Sequence, residues 1–191
     1  MLAHGAGASL DSDFMEFFAR ELSSKERAVA RFNFFYMEQG RKTPGSAKAS
    51  EQTFKEVVDH LKGMLSPAQV FIGGKSYGGR MASHIAAQGF HVDGLVFLGY
   101  PLHAPGRADR MRDEHLYSIE CPMLFVEGTR DPFCPLDTLR QVIARVAAPT
   151  ELVVVDDGDH SLKVRKSSGS STSEAWSKAA ADISGWIDNA R

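Results

Sequence analysis

Five short apolar runs, separated by segments with helical periodicity, constrain the fold more than any other feature of this sequence. Most positions in these runs are apolar and lack the alternation of a strand with one face in water, so we expect both faces to be covered. Strands of that kind belong to parallel sheets whose crossover helices pack on the two faces. The runs are residues 28–34, 68–74, 92–99, 122–128 and 150–157.

The intervening segments carry apolar residues at i, i+3 and i+4 spacing in residues 54–64, 136–146 and 176–187. Strands that alternate with helices predict a three-layer α/β/α sandwich around a mostly parallel sheet. A length of 191 residues is ordinary for one domain, so we expect residues 1–191 to form a single domain.

Two segments lack any periodicity, residues 41–50 and residues 166–174, and their content of Gly, Ser and Pro or Thr predicts mobile surface loops. Residues 101–118 follow the third run and are too few for a large helical cap. We therefore expect the sheet edge beside them to be open.

The charge balance argues against several classes of partner. Lys and Arg number 22 against 24 Asp and Glu, with no long run of one sign, which disfavours nucleic-acid binding. No apolar stretch approaches the roughly 18 residues of a membrane span, and the first residues lack the pattern of a signal peptide, so we expect a cytoplasmic protein with no membrane partner. Cys121 and Cys134 lack metal-ligand spacing and are interpreted as reduced thiols, so neither a metal site nor a cofactor is expected.

Residues 74–79 read Gly-Lys-Ser-Tyr-Gly-Gly, a G-x-S-x-G pattern between a predicted strand and a helical period. A serine on such a turn is strained, and small residues at Gly74 and Gly78 let the backbone close. The hydroxyl then stands exposed above the sheet edge, which makes Ser76 the candidate nucleophile. Phosphate-binding P-loops also end in Gly-Lys-Ser, but they need a glycine where this chain has Gln69.

A serine hydroxyl needs a base to accept its proton and a carboxylate to orient that base. Asp131 follows the run of residues 122–128, and His160 follows the run of residues 150–157. Because the carboxyl ends of parallel strands meet at one edge of a sheet, we predict that Ser76, Asp131 and His160 form a nucleophile, acid and base triad. Four aspartates rank below Asp131 as rivals for the acid: Asp137, Asp156, Asp157 and Asp159.

The N-terminal segment His4-Gly5-Ala6-Gly7 resembles the HGGG-type loop that supplies an oxyanion amide in esterases. The backbone amides of Ala6 and Tyr77 are the predicted oxyanion donors, and His4 is expected to brace the loop through hydrogen bonds. The alternative is a Gly-rich loop without chemistry.

Three residues at the end of the first run are predicted to bind substrate by lining the pocket: Arg31, Asn33 and Tyr36. Lys75 and Arg80 flank the candidate nucleophile and have two interpretations. They either attract an anionic substrate or are solvated side chains whose stems lie on the sheet rim, and we favour the second.

With these motifs the chain resembles the α/β-hydrolase superfamily, and most closely its dienelactone-hydrolase-like branch. Within that branch it is similar to a group that includes bacterial hydrolase-like proteins and a scaffold subunit of a histone acetyltransferase complex. The segments that carry the likeness are HGAGAS, RFNFFYMEQGRKTPG, GGKSYGGRMAS, GTRDPF and GDHSLK. The resemblance spans nearly the whole chain and implies the fold and the triad better than it implies a reaction.

Three departures from the family pattern matter. The dienelactone hydrolases use a cysteine where this chain has Ser76, which argues against their substrate. Members of the closer group often have Asp and Pro where this chain has Asn33 and Phe35. The fold normally has two strands and most of a third before the HGAG motif, and here only residues 1–3 precede it. We therefore expect a truncated N-terminal part of the sheet, with unpaired ladder amides beside the nucleophile strand.

Together the residues predict a serine hydrolase that cleaves an ester or thioester of a small molecule through an acyl-enzyme on Ser76, without a cofactor. The alternative is a non-catalytic module whose partner is another protein, as the resemblance to a scaffold subunit allows. A base and a carboxylate at matching strand ends favour the enzyme.

Overall fold

The computed structural model describes residues 1–190, which form one sheet of six parallel strands between two layers of helices. The elements in chain order are β1 (Leu2–Ala3), α1 (Asp13–Leu22), β2 (Arg31–Phe32), α2 (Phe35–Glu38), α3 (Ala47–Leu65), β3 (Phe71–Lys75), α4 (Tyr77–Ala87), β4 (Gly94–Leu98), β5 (Met123–Gly128), α5 (Leu136–Ile143), β6 (Thr150–Val155) and α6 (Thr172–Asn189). Across the sheet the strand order is β2-β1-β3-β4-β5-β6, and each neighbouring pair is parallel. The predicted α/β/α sandwich is confirmed.

Side-chain alternation in the central strands fills both layers of the core. In β4, Leu95 and Phe97 pack with residues of α3, α4 and α5, whereas Val96 and Leu98 pack with residues of α1 and α6. All four side chains are buried. This double burial is the reason that the strand runs are almost continuously apolar.

The first run and the first helix differ from the prediction. β2 covers only Arg31–Phe32 of residues 28–34, because its neighbour β1 is two residues long and offers no further ladder. Helix α1 was not predicted, although Phe14, Phe18 and Leu22 repeat every four residues and pack with α6. Among the described residues no helix is long and apolar enough to cross a membrane.

The segments predicted as loops are partly regular. Helix α3 already begins at Ala47, and residues 166–174 contain a 3₁₀ turn and the start of α6. The start of α6 is set by a capping box, in which the Glu174 N–H donates to Ser171 Oγ at 3.1 Å and the Ser171 N–H donates to the Glu174 carboxylate at 2.7 Å. Residues 101–118 contain one 3₁₀ turn, Glu114–Ser118, and no longer helix, as expected.

Strand β1 lies between β2 and β3 and pairs with both. The Leu2 N–H donates to the Ala30 carbonyl at 2.9 Å. On the other side, the Met1 amine donates to the Phe71 carbonyl at 2.6 Å. Burial lowers the pKa of this amine from 8.0 to about 5.

Beyond Met1 the line of β1 continues as an open groove of about 520 Å³. Its walls include residues 26–30 and 67–72, which flank the groove at the amino-terminal edge of the sheet. The backbone groups of residues 28–29 and 68–69 make no hydrogen bond to any described residue. Unpaired backbone groups therefore occur beside β3, the strand that leads to Ser76, as expected. They lie at the amino-terminal edge of the sheet, whereas Ser76 lies at the carboxyl edge.

Filling this groove should stabilise the fold. A variant with four alternating Val and Thr residues fused ahead of Met1 should pair with both walls and raise the free energy of unfolding by about 1–3 kcal/mol. Because folding depresses the pKa of the amine, the unextended chain should also lose stability as the pH falls from 8 towards 5, and the extension should remove that loss.

Urea unfolding at several pH values measures both effects, with a Gly-Ser extension of equal length as the control. Equal stabilisation by the two extensions at pH 8 would contradict strand pairing in the groove.

Candidate active site

The turn between β3 and α4 holds Ser76 at φ 49° and ψ −108°, a conformation that residues with a side chain rarely adopt. Two glycines permit it. A Cβ on Gly74 would lie 2.1 Å from the Ala3 carbonyl oxygen, and a Cβ on Gly78 would lie 2.2 Å from the same atom. The turn thus packs directly on β1, which is the role predicted for small residues at these two positions.

Ser76, His160 and Asp131 form a hydrogen-bonded line at the carboxyl edge of the sheet. The Ser76 hydroxyl donates to His160 Nε2 at 2.8 Å, and His160 Nδ1 donates to Asp131 Oδ2 at 2.6 Å. The Asp131 side chain is fully buried, whereas 21% of the His160 side chain is exposed. The structure therefore brings the three predicted residues together. The carboxylate is shielded from solvent, whereas the imidazole is partly accessible to solvent.

The loop after β5 orients both Asp131 and His160. Asp131 uses its second oxygen, Oδ1, to accept the Phe133 N–H at 2.8 Å. The Phe133 ring in turn meets the His160 ring edge-on, with centroids 4.7 Å apart and planes at 81°. One carboxylate therefore positions the imidazole directly and also through the aromatic ring beside it.

Gly99, the residue after β4, makes room for the His160 loop. Its φ is 67°, and a Cβ there would lie 2.5 Å from the His160 carbonyl oxygen. Sequence reasoning missed this role, although a glycine at the carboxyl end of a strand run was a visible signal.

The rival aspartates lie in other contacts. Of the described aspartates, only Asp131 is hydrogen-bonded to His160. Asp159 Oδ1 accepts the N–H groups of Ser161 and Lys163 at 2.7 and 3.0 Å, which tightens the histidine loop. Asp157 accepts from Arg165 Nε, Asp137 pairs with Arg140, and Asp156 is exposed.

Lys75 makes a contact that the sequence did not indicate. Its Nζ donates to the His160 carbonyl and lies 5.4 Å from the centre of the Phe14 ring. Burial lowers the pKa of Lys75 to about 8, against the opposing effect of the Asp131 charge. The expectation of a solvated side chain is wrong for Lys75, because its ammonium group holds the histidine loop.

Glu127, in β5, places a second carboxyl group behind Asp131. The residue is fully buried; its Oε1 accepts the Tyr100 N–H, and its Oε2 has no hydrogen-bond partner among the described residues. Burial, and then the charge of Asp131, raise the pKa of Glu127 well above its usual range. Both effects favour the protonated acid.

Ala6 and Tyr77 belong to the two segments that meet at Ser76. The N–H groups of both residues have no acceptor among the described residues. A Cβ on the neighbouring Gly5 would lie 3.6 Å from the Ser76 Cβ, so the HGAG loop contacts the turn that holds Ser76. Free amides beside the hydroxyl have the chemistry that an oxyanion requires.

His4 braces this loop, as expected. Its ring is buried, Nδ1 donates to the Gly5 carbonyl at 2.8 Å, and Nε2 accepts the Phe34 N–H at 3.1 Å. Burial lowers the pKa of His4, and the acceptor role of Nε2 requires the neutral ring.

The three residues predicted to bind substrate have other contacts. Arg31 donates to the Leu10 carbonyl at 2.7 Å, and Asn33 accepts the Leu10 N–H at 2.8 Å, so both hold the loop before α1. Tyr36 is buried against His4 and Tyr77. These contacts leave the predicted pocket-lining role of Arg31 and Asn33 without support, because their polar groups already serve the fold.

The sequence model of a family described as an alpha/beta hydrolase domain matches residues 1–188. The chain belongs to this family. Solved structures similar to this α/β hydrolase include an alpha-beta serine hydrolase homologue from Coxiella burnetii, with a TM-score of 0.74, 16% identity, and coverage of 96% of this chain and 82% of that chain. Dienelactone hydrolase from Anabaena variabilis has a TM-score of 0.72 and 18% identity, covering 98% and 84% of the two chains. Est1E from Butyrivibrio proteoclasticus has a TM-score of 0.73 and 14% identity, covering 95% and 84%.

At these identities the solved structures show the fold alone. Assignment to the dienelactone-hydrolase-like branch, and the relation to a histone acetyltransferase scaffold subunit, stay predictions.

A pair of glycine variants tests the packing around His160. Gly99 and Gly106 have almost the same φ, 67° and 68°, but a Cβ on Gly106 meets nothing within 4 Å. Both Gly→Ala changes introduce backbone strain of about 1 kcal/mol, and only Gly99→Ala also pushes the histidine loop away. Gly99→Ala should therefore lower the melting temperature further than Gly106→Ala. A crystal structure of the variant should show the His160 to Ser76 hydrogen bond lengthened, and equal melting temperatures would contradict the predicted clash.

A second variant tests the buried acid. Folding raises the pKa of Glu127. The stability that this carboxyl group contributes is therefore complete at low pH and is lost as the pH rises through the folded-state pKa. Glu127→Gln keeps a neutral polar group, so its stability relative to the native chain should increase as the pH rises above ~4.5.

Urea unfolding between pH 4 and pH 9 measures the difference. Glu127→Met, which loses the hydrogen bond from Tyr100, should be destabilised throughout. A difference between Gln and native that does not change with pH would contradict a protonated Glu127.

Proposed function

We propose that this α/β hydrolase is a serine hydrolase that cleaves an ester or thioester of a small molecule through an acyl-enzyme on Ser76. The observation that carries the proposal is the unbroken line of hydrogen bonds from the Ser76 hydroxyl through His160 to Asp131. The strained turn under Ser76 and the free amides beside it support the same chemistry.

The first half of the reaction forms the acyl-enzyme. His160 Nε2 accepts the hydroxyl proton as Ser76 Oγ forms a bond to the substrate carbonyl carbon, and the carbonyl π electrons move to oxygen. The resulting oxyanion accepts hydrogen bonds from the Ala6 and Tyr77 amides. Collapse of this intermediate breaks the bond to the leaving alkoxide or thiolate, which takes the proton from His160.

The second half returns the free enzyme. Water gives a proton to His160 and its oxygen attacks the acyl carbon, after which the proton returns to Ser76 Oγ and the acid leaves. Asp131 stabilises the imidazolium in both halves, and its full burial strengthens that interaction. Lys75 and Phe133 keep His160 in place between the two halves.

Labelling with a fluorophosphonate probe tests the nucleophile. The native chain should be labelled, and Ser76→Ala should lose labelling and lower esterase turnover by several orders of magnitude with an unchanged fold. Ser161→Ala is the matched control, because this serine adjoins His160 and its hydroxyl makes no hydrogen bond to a described residue. It should be labelled like the native chain.

His160→Ala should lower esterase turnover by a similar factor. The double variant, Ser76→Ala with His160→Ala, should lower turnover little further, because the effects of residues in one catalytic unit are not additive. Equal labelling of native and Ser76→Ala chains would refute the nucleophile. Absence of labelling and turnover in the folded native chain would instead favour a non-catalytic interaction module.

A further inference from the structure

Two partly buried arginines, Arg80 and Arg112, have guanidinium groups without partners among residues 1–190. Arg80 is in the first turn of α4, where its N–H donates to the Ser76 carbonyl at 3.0 Å. The Nε atom of Arg80 is buried and has no hydrogen-bond partner in the part of the chain that the structure describes. Arg112 lies in the loop after β4, where its N–H donates to the Leu102 carbonyl at 2.7 Å. Neither guanidinium forms a hydrogen bond or ion pair with any residue among 1–190.

Glu51 and Tyr77, which act on the pKa of Arg80, have hydrogen-bond partners of their own. The Glu51 carboxylate accepts from His84 Nδ1 at 2.8 Å and from Gln88 Nε2 at 2.9 Å. The Tyr77 hydroxyl donates to Ser50 Oγ at 3.0 Å. A partly buried guanidinium without hydrogen-bond acceptors is costly, so Arg80 is suited to bind an anion from outside the chain.

The charges around Arg80 favour a negatively charged partner. Burial and the charge of Arg112 lower the pKa of Arg80. Burial also lowers the pKa of His84, and that of His115 to about 4, so we take both rings as neutral at pH 7. Asp113 accepts from Tyr117 and lies 4.0 Å from Arg145. The positive charges of Arg80, Arg112 and Lys55 therefore outnumber the one carboxylate among them, Glu51, which leaves an excess of positive charge.

The position of Arg80 connects this charge to the candidate active site. Four residues of helix separate Arg80 from Ser76, a rise of about 6 Å, and helical side chains lean toward the amino-terminal end. Tyr77, beside Ser76, is close enough for its charge state to affect the pKa of Arg80. A group bound by Arg80 can therefore belong to the same small molecule that reacts at Ser76.

We propose that Arg80 and Arg112 bind a carboxylate on the acyl part of the substrate, so that this hydrolase cleaves half-esters of short dicarboxylic acids. The inference rests on the proposed serine-hydrolase function and names its substrate class. A carboxylate supplies negative charge, and its planar oxygens match the guanidinium fork. Arg80 is then a binding residue and not the solvated side chain that its sequence context favoured.

Paired esters test the preference. At about pH 7.5, kcat/KM is measured for para-nitrophenyl hydrogen succinate and for its neutral methyl ester, which differ in the distal charge and in one methyl group. The native chain should prefer the anionic ester, and Arg80→Gln or Arg112→Gln should lower kcat/KM for that ester by about 10–100-fold while changing the neutral one less than about 3-fold. Arg110→Gln, an exposed arginine of the same loop, is the control and should change neither.

A binding experiment separates this proposal from the proposed function. The Ser76→Ala chain is titrated calorimetrically with monomethyl succinate, dimethyl succinate and inorganic phosphate. Binding of monomethyl succinate alone, weakened at least about 10-fold by adding Arg80→Gln, would support the subsite even if neither ester is hydrolysed. Hydrolysis without preference for the anionic ester, or binding of phosphate as tight as that of monomethyl succinate, would overturn the proposed carboxylate subsite. Neither result would contradict the proposed serine-hydrolase function.

Discussion

The candidate site depends on one steric constraint, the contact between β1 and the turn that holds Ser76. The Ala3 carbonyl lies so close to Gly74 and Gly78 that any Cβ at either position would overlap it. Because β1 continues directly into the HGAG loop, this contact also brings Gly5 against Ser76. A single backbone approach therefore sets both the strained conformation of the serine and the position of the amides beside it.

The electrostatics of the site follow from burying Asp131. A carboxylate without access to water requires hydrogen-bond donors and few neighbouring negative charges. His160 and the Phe133 amide supply the donors. Glu127 lies close by, and its raised pKa favours a neutral acid that adds no second charge, while the Lys75 ammonium faces both carboxyl groups. Asp131 therefore keeps its interaction with the imidazole in a region of low dielectric.

Among the described residues, two of the features without hydrogen-bond partners differ in kind. The groove beyond Met1 exposes backbone groups in residues 28–29 and 68–69, which an extended strand would pair. Arg80 and Arg112 instead expose like charges, which an anion would compensate. The first lies at the amino-terminal edge of the sheet and concerns stability, whereas the second includes Arg80, one helical turn from Ser76, where we propose that a substrate carboxylate binds.

The sequence by itself determined the layer architecture and the order of most elements, because apolar periodicity and strand-to-helix turns are local properties. It also determined which of Ser76, Asp131 and His160 follow which strand, since parallel strands end at a common edge. Only the tertiary structure decided which neighbours support them. Lys75 meets the His160 carbonyl across 85 positions of the chain, and Gly99 approaches the same oxygen from a third strand. Such contacts depend on distances between strands packed side by side, which no local pattern of residues encodes.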